Sequence, residues 1–278
     1  MSDPGAERQR RAIGAARAIA TRYGVTCDRP SILQDSNHTV IHLAPAPIVA
    51  KVATSPEESS LADEVAVATF LASRKAPVVP PSDLLPPGPH WEDDLEVTFW
   101  TNCPHESGEP PPAVLGRSLQ ALHEVLTSCP LPLRAWDRFD GVEYVLFDPS
   151  ALTSLSADDR SFLRRRYEEL TSAISTFHIT ARPLHGEPHA ANLLMSTHGP
   201  RWIDFESACL GPQEWDLTVL PDKIVFRYFT DVDADLLRVL RLMRSLCVAV
   251  WCWLDPGRAP AMRRAGEYHL RALYESAL

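Results

Sequence analysis

The sequence predicts an α+β fold of two lobes, a small N-terminal lobe built on an antiparallel sheet and a larger, mainly helical C-terminal lobe. Three observations predict it. Strand-like alternation is concentrated before Asn102, helical periodicity dominates after Pro111, and two proline-rich stretches punctuate the chain near that border. They are APVVPPSDLLPPGPH (Ala76–His90) and PHESGEPPP (Pro104–Pro112). Neither can form a helix interior, because proline lacks the amide proton and clashes with the preceding turn. The expected lobes are residues 1–103 and 104–278, with a hinge at Asn102–Gly108.

Taken in order, Ala6–Tyr23 has a helical pattern, and HTVIHLA (His38–Ala44) alternates like a strand with PIVAKVA (Pro47–Ala53) as its hairpin partner. LADEVAVATFLASR (Leu61–Arg74) places Leu61, Val65, Ala68, Phe70 and Leu71 on one helical face, and LEVTFWTN (Leu95–Asn102) reads as a third strand. Helices are then expected at Ala113–Leu126, Ala157–Thr176, Asp233–Leu254 and Ala259–Ala277. The acidic run DVDADLL (Asp231–Leu237) reads as a capped helix start, where carboxylates meet the helix dipole favourably. Trp251 and Trp253, near the far end of that helix, read as core.

Composition narrows the function classes. The 278 residues are 45% hydrophobic and 23% charged, as in an ordinary globular protein. A formal net charge of -9 repels nucleic acid and anionic membrane and favours a cationic partner. The longest apolar stretch, LCVAVWCWL (Leu246–Leu254), is too short to span a bilayer. The six cysteines are scattered, without zinc-ligand spacing, and read as reduced thiols. With no leader pattern at Met1, a cytoplasmic protein is expected.

The chemistry is concentrated in LHGEPHAANLLMSTHGPRWIDFE (Leu184–Glu206). Its HGEPH core resembles a zinc-protease motif, which needs two histidines on one helical face. Gly186 and Pro188 break any helix there, and Glu187 has the wrong offset. Phosphoryl transfer to a hydroxyl, in contrast, uses a loop. It needs a carboxylate to orient the hydroxyl, an amide and a second carboxylate for Mg²⁺, and a lysine for the phosphates. Glu187, Asn192 and Asp204 supply the first three, and the turn STHGP predicts a hairpin that returns Asp204 alongside Asn192. Glu206, two residues beyond, would face the same side of an extended strand, toward the metal.

HGEPHAAN and WIDFE together resemble the catalytic region of the aminoglycoside phosphotransferase family, relatives of the protein kinases. The resemblance extends over residues 36–220. APIVAKVA matches the family's lysine-bearing strand, LADEVAVATFLA the helix whose glutamate pairs with that lysine, and LGPQEWDLT a segment after the metal-binding strand; LGRSLQALHEV resembles the helix opening the large lobe. It implies a protein-kinase-like two-lobe fold binding ATP (or GTP) and Mg²⁺, with residues 1–103 holding the nucleotide and 104–278 catalysing and binding the acceptor. Lys51 would bind phosphate and Glu64 would hold Lys51. Phe99, Trp100 and Thr101 would border the adenine. Asn192, Asp204 and Glu206 would hold Mg²⁺, His185 would pack against the segment carrying Asp204, and Asp216 would be buried, bracing the catalytic loop.

Two departures stand out. The family usually has Asp where this chain has Glu187, which moves the carboxylate by about 1.5 Å, one methylene further out. In addition LQDSNHTVIHL (Leu33–Leu43) has no glycine where kinases have a glycine-rich phosphate loop; Ser36 and Asn37 are the candidate donors. The implied reaction is O-phosphorylation of a small, cationic molecule such as an aminoglycoside or other basic antibiotic. A small-metabolite kinase of the same architecture, or a nucleotide-binding regulatory protein without turnover, stays open on the sequence alone.

Overall fold

The computed structural model describes residues 4–36, 38–53, 61–136, 140–254 and 260–276. The chain forms two compact units, residues 1–133 with 185–208 and residues 134–184 with 209–278.

The first unit begins with α1 (Pro4–Arg22), whose Ala12, Ala15, Ala16, Ile19 and Ala20 form a buried stripe at helical spacing. Strands β1 (Arg29–Asp35), β2 (His38–Ala44), β3 (Ile48–Ala53), β4 (His90–Glu92) and β5 (Leu95–Thr101) make one antiparallel sheet in the order β1-β2-β3-β5-β4. Alternation along β3 sends Ala50 and Val52 into the core with Ile41, Val97 and Phe99. Lys51 therefore faces the opposite side. Helix α2 (Leu61–Ser73) buries Leu61, Glu64, Val65, Ala68 and Leu71, so a carboxylate lies on an otherwise apolar face. After β6 (His105–Glu106), α3 (Pro112–Leu126) starts with proline at its first position, where the missing amide proton costs no helical bond.

The second unit begins with β7 (Arg134–Ala135), α4 (Asp140–Phe147), α5 (Ala157–Ser175) and β8 (Arg182–Leu184). The chain then supplies β9 (Leu193–Ser196) and β10 (Gly199–Trp202) to the first unit, where they form the sheet β10-β9-β6. It returns through β11 (Cys209–Gly211), which pairs with both β7 and β8, into α6 (Gln213–Leu217), α7 (Asp222–Tyr228), α8 (Ala234–Trp253) and α9 (Pro260–Glu275). Leu163, Leu170, Leu240, Met243, Leu246, Val250 and Leu273 dominate this unit's core, with Trp251 and Trp253 packed partly buried against it. Asp233 caps α8 by accepting from the amides of Asp235 and Leu236, each at 3.0 Å.

Several elements were not expected from the sequence. Strand β1 (RPSILQD) has no alternation of apolar residues in its sequence and carries a register shift between Ile32 and Gln34, as an edge strand tolerates. Strands β4, β6 and β7 have only two or three residues, too few for a periodic signal. Helix α4 lies where no element was assigned.

Candidate active site

Lys51 and Glu64 meet inside the first unit, with Nζ to Oε2 at 2.9 Å and both residues buried. The same ammonium reaches Asp204 Oδ1 at 2.8 Å and Glu206 Oε2 at 2.9 Å. A lysine ammonium has three N–H donors, and three carboxylates engage them. Burial alone would lower the Lys51 pKa, but the charges of Glu64, Asp204 and Glu206 outweigh it and hold the pKa above its ordinary value. Burial would likewise raise Glu206; a hydrogen bond from His38 and the Lys51 charge overcome this and bring it down to about 2.

The catalytic loop is built on a positive-φ glycine and a buried histidine. Gly186 has φ +89°, and a Cβ there would collide with the Ser207 carbonyl oxygen, so no other residue fits. His185 is fully buried, with its ring 5.2 Å from Trp202 and 4.7 Å from Phe205, centroid to centroid. Its Nδ1 accepts from the Glu187 amide at 3.3 Å, which leaves Nε2–H to donate to the Ile203 carbonyl at 3.0 Å. One ring thus links the start of the loop to the segment carrying Asp204.

Asn192 ends a short 3₁₀ turn (Ala190–Asn192), and its Nδ2 donates to the Glu187 carbonyl at 2.9 Å. Its amide oxygen is then the group that can take a cation. The β9–β10 hairpin turns at Thr197–His198, and the Ile203 amide donates to the Asn192 carbonyl at 3.0 Å, extending the ladder beyond the strands. Asp204 is not on a strand, contrary to expectation. Its φ is +69°, a left-handed conformation that aspartate tolerates better than most residues. The kink buries Phe205, whose amide donates to Glu64 Oε1 at 3.3 Å, and brings Glu206 back through a turn rather than by strand alternation.

Carboxylate oxygens of Glu64, Asp204 and Glu206 all lie within 4.8 Å of one another. Hard oxygen donors at this spacing suit Mg²⁺, and the chemistry of the set fits such an ion. The burial of Glu64 and its engagement by Lys51 and the Phe205 amide make Asp204 and Glu206 the more accessible pair.

The other expected residues separate into two groups. Ser36 is exposed in the β1–β2 turn, where its amide donates to the His38 carbonyl at 3.1 Å and its hydroxyl accepts from Gln34 at 2.9 Å. Asn37 lies outside the described residues. Trp100 and Thr101 are half-buried at the end of β5. Phe99 is withdrawn from any ligand: its ring is in the sheet core, its amide donates to Pro87 and its carbonyl accepts from Ser82. Asp216 belongs to the second unit, fully buried on α6. One participant was missed altogether. His38 Nε2 lies 2.7 Å from Glu206 Oε2, and no local pattern signals a contact between residues 168 positions apart.

The family model described as the phosphotransferase enzyme family matches residues 34–247, most of the chain. The chain belongs to that family. This phosphotransferase shares its fold with solved structures at low identity. A choline/ethanolamine kinase family protein from Mesorhizobium loti is 16% identical with a TM-score of 0.71, covering 97% of this chain and 95% of that one. Amicoumacin kinase hAmiN, in complex with AMP-PNP, Ca²⁺ and Ami, is 11% identical with a TM-score of 0.70 and 92% coverage of both chains. Spectinomycin phosphotransferase APH(9)-Ia, in complex with ADP and spectinomycin, is 13% identical with a TM-score of 0.65, covering 93% and 96%. No curated protein matches the sequence significantly. The two-lobe protein-kinase-like fold of this phosphotransferase is the one expected, and the family's reaction is phosphoryl transfer.

Proposed function

We propose that the chain transfers the terminal phosphoryl group of ATP to a hydroxyl of a small cationic molecule, an aminoglycoside or another basic antibiotic. The observation that carries this reading is the convergence of Lys51 on Glu64, Asp204 and Glu206, which joins a phosphate-binding lysine to a metal-type carboxylate set. Lys51, oriented by Glu64, would bind the phosphates, while Trp100 and Thr101 would border the adenine and Ser36 would donate to the phosphates. Asn192, Asp204 and Glu206 would hold Mg²⁺, which supplies charge neutralisation on the phosphate oxygens. Glu187 accepts the hydroxyl proton or orients that hydroxyl for attack. His185 supports the loop. Functionally, residues 1–103 serve the nucleotide and residues 104–278 serve catalysis and the acceptor.

The acceptor class rests on charge and on the company the fold keeps. Solved proteins of this fold include kinases named for choline and for spectinomycin. Both are cations bearing hydroxyl groups, and a net charge of -9 favours such a partner. A choline-like metabolite is therefore the second reading, supported by the Mesorhizobium loti and Streptococcus pneumoniae structures. Phosphorylation of an antibiotic would add negative charge to a molecule that binds through positive charge, giving resistance or self-protection. We place the protein in the cytoplasm, where the nucleotide is made; among the described residues no helix is long and apolar enough to cross a membrane.

The test is ADP release from Mg²⁺–ATP against a panel of basic antibiotics, amino sugars and choline-like alcohols, with Glu187→Gln and Asp204→Ala run beside the wild type. Turnover confined to one acceptor class and lost in both variants supports the reading and names the substrate. Nucleotide binding without turnover on any acceptor points instead to a regulatory protein. Absence of nucleotide binding overturns the reading.

A further inference from the structure

His38 opens β2 directly after the glycine-free β1–β2 turn. Its Nε2 meets the oxygen of Glu206 that Lys51 also meets, at 2.7 Å and 2.9 Å respectively. An ionised carboxylate only accepts, so Nε2 carries the proton and donates. Glu206 follows the left-handed Asp204 in a turn, without a strand ladder to fix its direction. Two donors from adjacent strands of one sheet, His38 on β2 and Lys51 on β3, aim its carboxylate into the site.

Those two donors are not equivalent. All three Lys51 protons are engaged by carboxylates, so Lys51 must release at least one of them to bind a nucleotide phosphate. His38 has no such competing duty. Its other ring nitrogen, Nδ1, is buried without a hydrogen-bond partner among the described residues. Leaving a buried polar atom unsatisfied is costly, so a ring kept for stability alone would satisfy both nitrogens.

We infer that His38 is a positioning residue for the metal–nucleotide site: by donating to Glu206 it holds that carboxylate in place when Lys51 turns to the phosphates. It also ties the start of β2 to the metal-binding segment. The inference rests on the phosphotransferase reading, because it assigns His38 to that site.

Calorimetric titration of the full chain with Mn²⁺–AMP-PNP, and separately with AMP-PNP in chelator, tests it. His38→Ala is expected to weaken the metal-loaded titration about tenfold or more, the usual cost of losing a residue that orients a metal ligand. Metal-free binding stays unchanged. His38→Gln, whose amide can still donate to Glu206, restores most of the loss. In His38→Ala/Glu206→Gln the loss is no greater than in Glu206→Gln alone, because both changes remove one interaction. Thermal melts confirm that each variant is folded. Wild-type affinity in His38→Ala, an equal loss without metal, or additive losses in the double variant would each overturn the inference while leaving the phosphotransferase reading intact. A wild type that binds no nucleotide overturns both.

Discussion

Lys51 Nζ lies 2.8 Å from Asp204 Oδ1, two residues 153 positions apart in the sequence. The same lysine is the buried partner of Glu64, whose pKa burial and the Asp204 and Glu206 charges hold above its ordinary value even against the Lys51 charge, so removing Lys51 pushes it further toward the neutral form. Lys51→Met is therefore expected to destabilise the fold by about 3 kcal/mol, the scale for breaking one side of a buried pair. Adding Glu64→Gln should recover most of that in a denaturant melt. Turnover should stay at least about 100-fold below wild type in both variants, since neither supplies a phosphate-binding cation.

Glu187 separates chemistry from binding. Glu187→Gln keeps the loop amide that bonds to His185 Nδ1 but loses the carboxylate that we propose takes or orients the hydroxyl proton. The turnover number should fall by about 10²–10⁴-fold with nucleotide affinity unchanged. Glu187→Asp should retain measurable turnover, because it restores the carboxylate about 1.5 Å shorter. Steady-state rates and nucleotide titrations on the two variants check this.

Gly186→Ala tests the loop backbone. A φ of +89° strains an L-residue, and the added methyl meets the Ser207 carbonyl oxygen, which is backbone and cannot rotate away. A loss of about 2–4 kcal/mol is expected, together with loss of turnover, because His185 and Glu187 flank the site of the collision. Thermal unfolding and an activity assay read both effects.

The Glu206 carboxyl gives a signed pH dependence. Its pKa in the fold is about 2 against an ordinary 4.5, so the folded state favours the ionised form. That contribution is fully present above about pH 4.5 and is lost as pH falls toward 2; its ceiling is about 3 kcal/mol. The stability gap between wild type and Glu206→Gln should accordingly be widest near neutrality and narrow steadily below pH 4.5. A gap that stays constant down to pH 3 in urea melts would contradict the assignment.

Part of this was legible in the sequence. The resemblance of APIVAKVA and LADEVAVATFLA to the family's segments points to Lys51 and Glu64, and the glycine and proline around Glu187 exclude a helix. What was hidden has physical reasons. The kink at Asp204 is a backbone choice that its neighbours do not announce. The contact between His38 and Glu206 spans the sheet and a distant turn, so no spacing encodes it. Phe99 was misplaced for a reason that the sequence did contain. It alternates with Val97, and two large apolar residues on one face of a strand belong to the core, while Thr98 and Trp100 face the other way.

Leu184 and Cys209 are antiparallel partners, so the chain enters and leaves residues 185–208 at a single paired doorway. Everything between, including Glu187, Asn192, Asp204 and Glu206, is a closed excursion whose two ends are already clamped together. Such an excursion behaves as a cassette. The corresponding stretch from another member of the family can be grafted between these two residues without changing the distance that its ends must bridge.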